Sequence, residues 1–168
     1  MANKSTHGVG RDASGRVGNA PTVSGQTEYF IDAGVAGAIY NGGAVNSSAG
    51  YIVEGQNYAD PVVGVLNGVF YNAATTLKPT FANFYAGSIT PANSEDITAF
   101  VNDDPFQNYI VATDDAVAQS GYLETYDMNA SAGSSTTGKS SATLDIGTTG
   151  ADNKQYRLLR SAEEIGRA

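Results

Sequence analysis

The sequence predicts an all-β protein, a small β-barrel or sandwich with an extended N-terminal arm, on the strength of three observations. Glycine occurs 20 times beside abundant Ser, Thr, Asn and Ala, which leaves few strong helix formers. Short apolar runs recur at spacings of about 10 residues with turn residues between them. No long stretch repeats its apolar residues at helical spacing. A length of 168 residues suits a single core. The expected divisions are an arm over 1–25, a β-barrel domain over 26–160 and a C-terminal tail over 161–168.

Residues 1–25 hold three isolated valines among Gly, Ser, Asn and Asp, too little apolar surface to fold alone, and therefore read as an arm. The run "TEYFIDA" is the first strand, with Tyr29 and Ile31 on one face and Glu28, Phe30 and Asp32 on the other. In "GAIYNGGAV" the Asn41-Gly42-Gly43 stretch supplies a turn that needs positive φ, and "GYIVEG" follows as a short strand. The best strand is "PVVGVLNGVFYN". Plain alternation there places Val63, Val65, Asn67, Val69 and Tyr71 opposite Val62, Gly64, Leu66, Gly68 and Phe70. Its two glycines on one face point to a bend or the close approach of another backbone. "DITAFV" and "NYIVAT" are expected to form a hairpin across the Asp104-Pro105 turn. "GYLETYDMN", "SATLDIG" and "KQYRLLR" are weaker strands around a Gly/Ser/Thr-rich loop, and Ser161 with Glu164 makes a capping box in the tail.

Net charge is −8 but unevenly placed. Lys4, Arg11 and Arg16 against Asp12 leave residues 1–20 at +2, and the four basic residues of 154–168 against Glu163 and Glu164 leave +2. The middle carries fourteen acids against Lys78 and Lys139. An acidic body repels phosphates, so nucleic acid is not an expected partner, while the basic ends suit an acidic protein surface. Cysteine is absent, which excludes disulfides, thiolate metal sites and a cysteine nucleophile. No run of about 18 apolar residues suggests a membrane span, and the first residues lack the apolar stretch of a secretory signal.

Three motifs invite chemistry. "GSSTTGKS", with Gly133, Gly138, Lys139 and Ser140, fits a phosphate loop at every fixed position. A working loop follows a buried strand and opens a helix, whereas polar "ETYDMNASA" precedes this one and β-branched, glycine-containing "SATLDIGTTG" follows it. Only 28 residues come after Ser140, too few for the rest of a nucleotide-binding sheet, so a structural loop is expected and no nucleotide. The pairs Asp103-Asp104 and Asp114-Asp115, with Glu95-Asp96, sit in turn contexts that separate rather than converge them, which disfavours a glycosidase pair. His7 is the one histidine and lies in the arm, so neither a serine-type triad nor a zinc site has its ligands. No catalytic residue, cofactor or metal is expected. A sugar-binding module remains an alternative, using exposed tyrosines beside the Asp-rich loops.

The runs "YIVEGQNYADPVVGVLNGVFYN", "KPTFANF", "ITAFVNDDPFQNYIVATDDA" and "GSSTTGKSSATLDI" together resemble the head decoration, or cement, proteins of tailed bacteriophages, over about Tyr29 to Ile146. In such proteins the segment before the last strands often reads T-T-G-x-S, matched here by Thr136-Thr137-Gly138-Lys139-Ser140. The C-terminal end departs from the family, since "RLLRSAEEIGRA" lacks a further apolar strand.

The resemblance implies a non-enzymatic β-barrel on the outside of an icosahedral shell. It would bridge major capsid protein subunits, alone or as a trimer, with a neck or tail position as the near alternative. Many weak copies stabilise such a shell through effective concentration. Arg11 and Arg16 are then expected to make charged contacts with the capsid, and Tyr29 and Phe30 to anchor the arm where it enters the barrel. Deleting residues 1–25 is expected to leave the barrel folded but abolish shell binding; full occupancy of shells by the truncated chain would refute the arm's role.

Overall fold

The computed structural model describes residues 25–55, 61–129, 133–148 and 154–161, together with the backbone of 12–16. The capping box of the tail lies outside the described residues, as does Arg11.

In chain order the strands are β1 (Asp12–Arg16), β2 (Thr27–Ile31), β3 (Ala44–Ser48), β4 (Tyr51–Glu54), β5 (Val62–Asn72), β6 (Pro79–Ala82), β7 (Ile97–Asn102), β8 (Gln107–Ile110), β9 (Thr125–Asn129), β10 (Thr143–Asp145) and β11 (Tyr156–Arg157). All their ladders are antiparallel, as expected of an all-β chain. Six strands form the main sheet in the order β2-β7-β5-β3-β4, with β6 on β5. The sheet curls until its edge strands β2 and β4 lie close together, yet no ladder joins them, so the barrel stays open along one seam. A second sheet, β10-β9-β11, and a two-stranded pair, β1-β8, complete the architecture.

The long strand β5 organises the main sheet because it serves three partners. One edge runs along β7 from Val65 to Phe70, while the other pairs first with β3 and then with β6. Between Leu66 and Gly68 the register with β7 slips by one residue, leaving Asn67 as a bulge. A bulge inverts the in–out alternation beyond it. Leu66 and Val69 are therefore both buried in one core with Ile31, Val45, Ile97 and Val101, and the plain alternation read from the sequence, which put them on opposite faces, is corrected. The close approach expected at a glycine is met at Gly64, where a Cβ would stand 2.5 Å from the Asn102 carbonyl oxygen and 2.6 Å from Val101 Cγ1, but the two glycines do not share a face: past the bulge Gly68 turns to the other side, against Phe81.

The hairpin expected between "DITAFV" and "NYIVAT" does not form. Strand β7 is central, with β2 on one edge and β5 on the other, so no edge remains for β8. The Asp104 turn instead carries the chain away, and β8 pairs with β1. Within the segment read as an arm, residues 12–16 thus form a strand although the sequence shows no apolar alternation there. The pairing is made by backbone groups, which a periodicity argument does not see. One hairpin went unforeseen: β3 and β4 join through Ala49-Gly50, both at positive φ (50° and 88°), a two-residue turn whose twist suits the strands.

The smaller core gathers Tyr126, Met128 and Leu144 beneath the second sheet. Parts of the chain far apart in sequence are tied by single bonds, such as Val62 N–H to Gln155 Oε1 at 3.0 Å. Replacing Gly64 with Ala is expected to cost about 1–3 kcal/mol through overpacking against the neighbouring strand. Urea unfolding checks this, with the midpoint falling at an unchanged m-value.

Candidate functional site

The face of the main sheet turned away from the core is aromatic. On β2, β5, β6 and β7 the register places Phe30 opposite Thr98, Thr98 opposite Phe70, and Phe70 opposite Phe81. Residues paired across antiparallel strands share a face, so this row crosses four strands on one side. Phe100 stands two residues beyond Thr98 on that side, its ring centroid 6.0 Å from that of Phe81 at 42°. Gly68, opposite Phe100, makes the packing possible, because a Cβ there would lie 2.7 Å from Phe81 Cζ. Phe30, Phe70 and Phe81 are 52%, 37% and 64% exposed. The neighbouring inward residues Ile31, Val69, Ile97, Ala99 and Val101 are fully buried. Aliphatic side chains and Tyr85 therefore fill the core, while Phe30, Phe70 and Phe81 face solvent.

A contiguous exposed apolar patch of this kind marks a binding surface more often than an isolated exposed side chain does. Burying a phenylalanine contributes about 1.5–3 kcal/mol, so three partly exposed rings supply several kcal/mol to a docking partner. The tilt between Phe81 and Phe100 leaves a notched relief, which suits interdigitating protein side chains rather than a flat sugar ring.

The four residues singled out in the sequence fall differently. Phe30 belongs to the patch. Tyr29 faces the other way, half-buried against the core, and its hydroxyl donates to Asp103 Oδ2 at 2.9 Å. There it braces β2 against the loop that follows β7. Arg16 ends β1 opposite Gln107. Arg11 lies outside the described residues.

The glycine-rich segment is built as a strap. Gly138 N–H donates to the Ser134 carbonyl at 2.7 Å, Ser134 N–H to Lys139 at 2.9 Å, and Ser140 N–H to Asn41 at 2.8 Å. Amides committed to carbonyls in this way do not converge on a phosphate, and the chain runs from Ser140 into β10 rather than into a helix. Gly138, at φ +71°, sits against Asn83 and Phe84, where a side chain would collide. Phe84 stacks on Tyr40 with centroids 5.4 Å apart at 8°. The strap closes over this stacked pair, with Gly133 lying against the Tyr40 ring.

The carboxylate pairs serve as acceptors in their own turns. Asp104 Oδ1 takes the Phe106 N–H at 2.9 Å, and Asp115 Oδ1 the Ala116 N–H at 2.7 Å. Asp114 accepts from Asn129 Nδ2 at 2.8 Å and from Ile146 N–H at 2.9 Å, tying its loop to the second sheet. Lys154 forms an ion pair with Asp127. Among the described residues no three His, Cys, Asp or Glu side chains gather as a metal site, and no helix is long and apolar enough to cross a membrane.

Sequence reasoning missed Phe70, Phe81 and Phe100. A signal for two of the strands was present: in "TEYFI" and "ITAFV" the phenylalanine occupies the phase opposite Ile31 and opposite Ile97 and Val101. Phe70 was hidden by the bulge, and Phe81 by a strand pairing that no local pattern encodes.

No family model, curated protein or solved structure matches the chain.

The Asp103 carboxylate, first as hydrogen-bond acceptor and then, after the effect of burial, as a negative charge, holds the Tyr29 hydroxyl above the ordinary tyrosine value of 10.0. A raised folded-state value means the associated stability is present in full below the unfolded value and is lost as pH rises through the folded one. The stability difference between the native chain and Tyr29→Phe is therefore expected to hold steady up to about pH 10 and to narrow above it. Urea titrations from neutral to alkaline pH check this.

Proposed function

We propose that this chain is a non-enzymatic structural protein of a tailed-phage virion, decorating the outside of the capsid and bridging major capsid protein subunits through its phenylalanine face. The observation that carries the reading is the row in register across four strands, with solvent-exposed Phe30, Phe70 and Phe81 on β2, β5 and β6 and Thr98 between them on β7, on the side of the sheet opposite the core. An aromatic relief on a hydrogen-bonded sheet is suited to docking against another protein, since rings with few rotatable bonds need little ordering on binding. The pattern of runs shared with decoration proteins supplies the choice of partner, and the arm with Arg11 and Arg16 extends the contact beyond the sheet.

Many copies on one shell make a modest individual affinity sufficient, because each subunit bridged holds its neighbours at high effective concentration. The acidic pairs support the non-enzymatic part of the reading, since Asp104 and Asp115 accept amides of their own turns and Asp103 and Asp114 accept from Tyr29 and Asn129, rather than converging across a cleft.

The test is a reconstruction of particles purified from cells that make this protein with its neighbouring viral genes, together with co-sedimentation of the protein with undecorated shells. Density across subunit boundaries outside the shell is expected. Phe30→Ser combined with Phe81→Ser is expected to weaken co-sedimentation at least about tenfold, as loss of about 1.4 kcal/mol or more of apolar burial requires. Because both rings are exposed in the free chain, the unfolding midpoint of this variant is expected to stay near that of the native chain. Density confined to the tail would move the protein to a neck or tail role, and full shell binding by the double variant would remove the phenylalanine face from the contact.

A further inference from the structure

Strand β8 has one strand partner among the described residues, β1, and the two form a sheet of their own. A two-stranded ladder standing alone is marginal in water, so what holds it is worth asking. The β1 sequence, DASGR, contains no large apolar residue. Its register slips between Ala13 and Gly15, leaving Ser14 as an extra residue. β8 is also the one element with which β1 has substantial contact among the described residues. Among the described residues the attachment of β1 is thus the backbone ladder to β8. β8 for its part has a continuing demand for a strand: without β1, a chain of hydrogen-bonding groups from Gln107 to Ile110 would be left at an open edge.

Ten residues, 17–26, separate β1 from β2. Fully extended, ten residues reach about 33–36 Å, far enough for β1 to arrive at the β8 of an adjacent molecule. A ladder made of backbone bonds is the same whether the strand comes from its own chain or from another copy, so exchange costs nothing in contacts and is decided by concentration and by the link.

We propose that the β8 edge is an exchange site at which β1 of a second copy of this chain replaces the chain's own β1. Exchange around a closed ring of copies gives every β8 a β1. The proposal goes beyond the docking role of the phenylalanine face and does not depend on it.

The absence of cysteine gives a test without background. Asp12 and Ile110 are direct partners in the ladder, and Ile110 is 45% exposed, so cysteine at 110 disturbs little. Two variants of the full-length chain, Asp12→Cys and Ile110→Cys, are prepared separately, reduced, mixed at high concentration and oxidised. A disulfide between the two variants requires β1 of one molecule to lie on β8 of another. The mixed disulfide is expected to form at least tenfold faster than the homodimers of either variant alone, and to slow on dilution. Mixed and homodimeric disulfides forming at equal rates, while the double variant Asp12→Cys/Ile110→Cys closes only within single chains, would overturn the proposal. Shell co-sedimentation is read separately, so failure of exchange and failure of the capsid reading are distinguishable.

Discussion

When β5 passes from β3 to β6, the bulge at Asn67 takes a carbonyl out of the regular ladder, and the Asn41 side-chain amide meets it, donating to the Asn67 oxygen at 2.7 Å. The same Asn41 uses its main chain on the other side, its N–H donating to Gly138 and its carbonyl accepting from Ser140. Beside it, Gly42 N–H donates to the Leu66 carbonyl and Leu66 N–H to that of Gly43, filling the gap between the two partner strands. One turn thus stitches together the bulge of the central strand and the strap over Tyr40 and Phe84. Buried or half-buried backbone groups must find partners, and here a single short segment provides them for three parts of the chain.

The bulge also decides which residues the molecule shows. By shifting phase after Leu66 it turns Val69 inward and Phe70 outward, so that Phe70 joins Phe30 and Phe81 on the outer face. A bulge-free β5 would keep Leu66 in phase with Phe70 and bury one face or the other incompletely. The segregation that results, aliphatic residues and Tyr85 inside with Phe outside, departs from the usual preference for burying phenylalanine. A surface of this composition is hard to account for as packing and easy to account for as a place where another molecule rests.

Much of the fold was legible from local chemistry. Alternation in "TEYFI" and "ITAFV" located β2 and β7 and their inward faces, and Asn41-Gly42-Gly43 announced its turn, with Gly42 at φ 76°. The glycine-rich loop was legible too, because helix formation after Ser140 conflicts with β-branched residues whatever the motif says. What failed were inferences about pairing. A hairpin between β7 and β8 looked natural from sequence distance, but the edges of β7 were already taken by strands read from far earlier segments. β1 left no trace because backbone hydrogen bonds need no particular side chains. The candidate site fell between these cases: Phe30 was identified, while its companions depend on register, which is a property of strand pairs and not of any one strand.

The open seam between β2 and β4 has a mechanical meaning. A closed barrel is a hoop: altering its curvature shears a continuous ring of hydrogen bonds. A curled sheet with one free line behaves as a leaf spring, able to flatten or tighten while every ladder stays intact. Tyr51 on β4, whose hydroxyl lies 3.4 Å from Asp96 at the foot of β7, acts as a soft catch across that line rather than a rivet. Phe30 stands on β2 at that free line while Phe70 and Phe81 stand on β5 and β6 farther in, so a change of curvature at the seam alters the spacing of the rings.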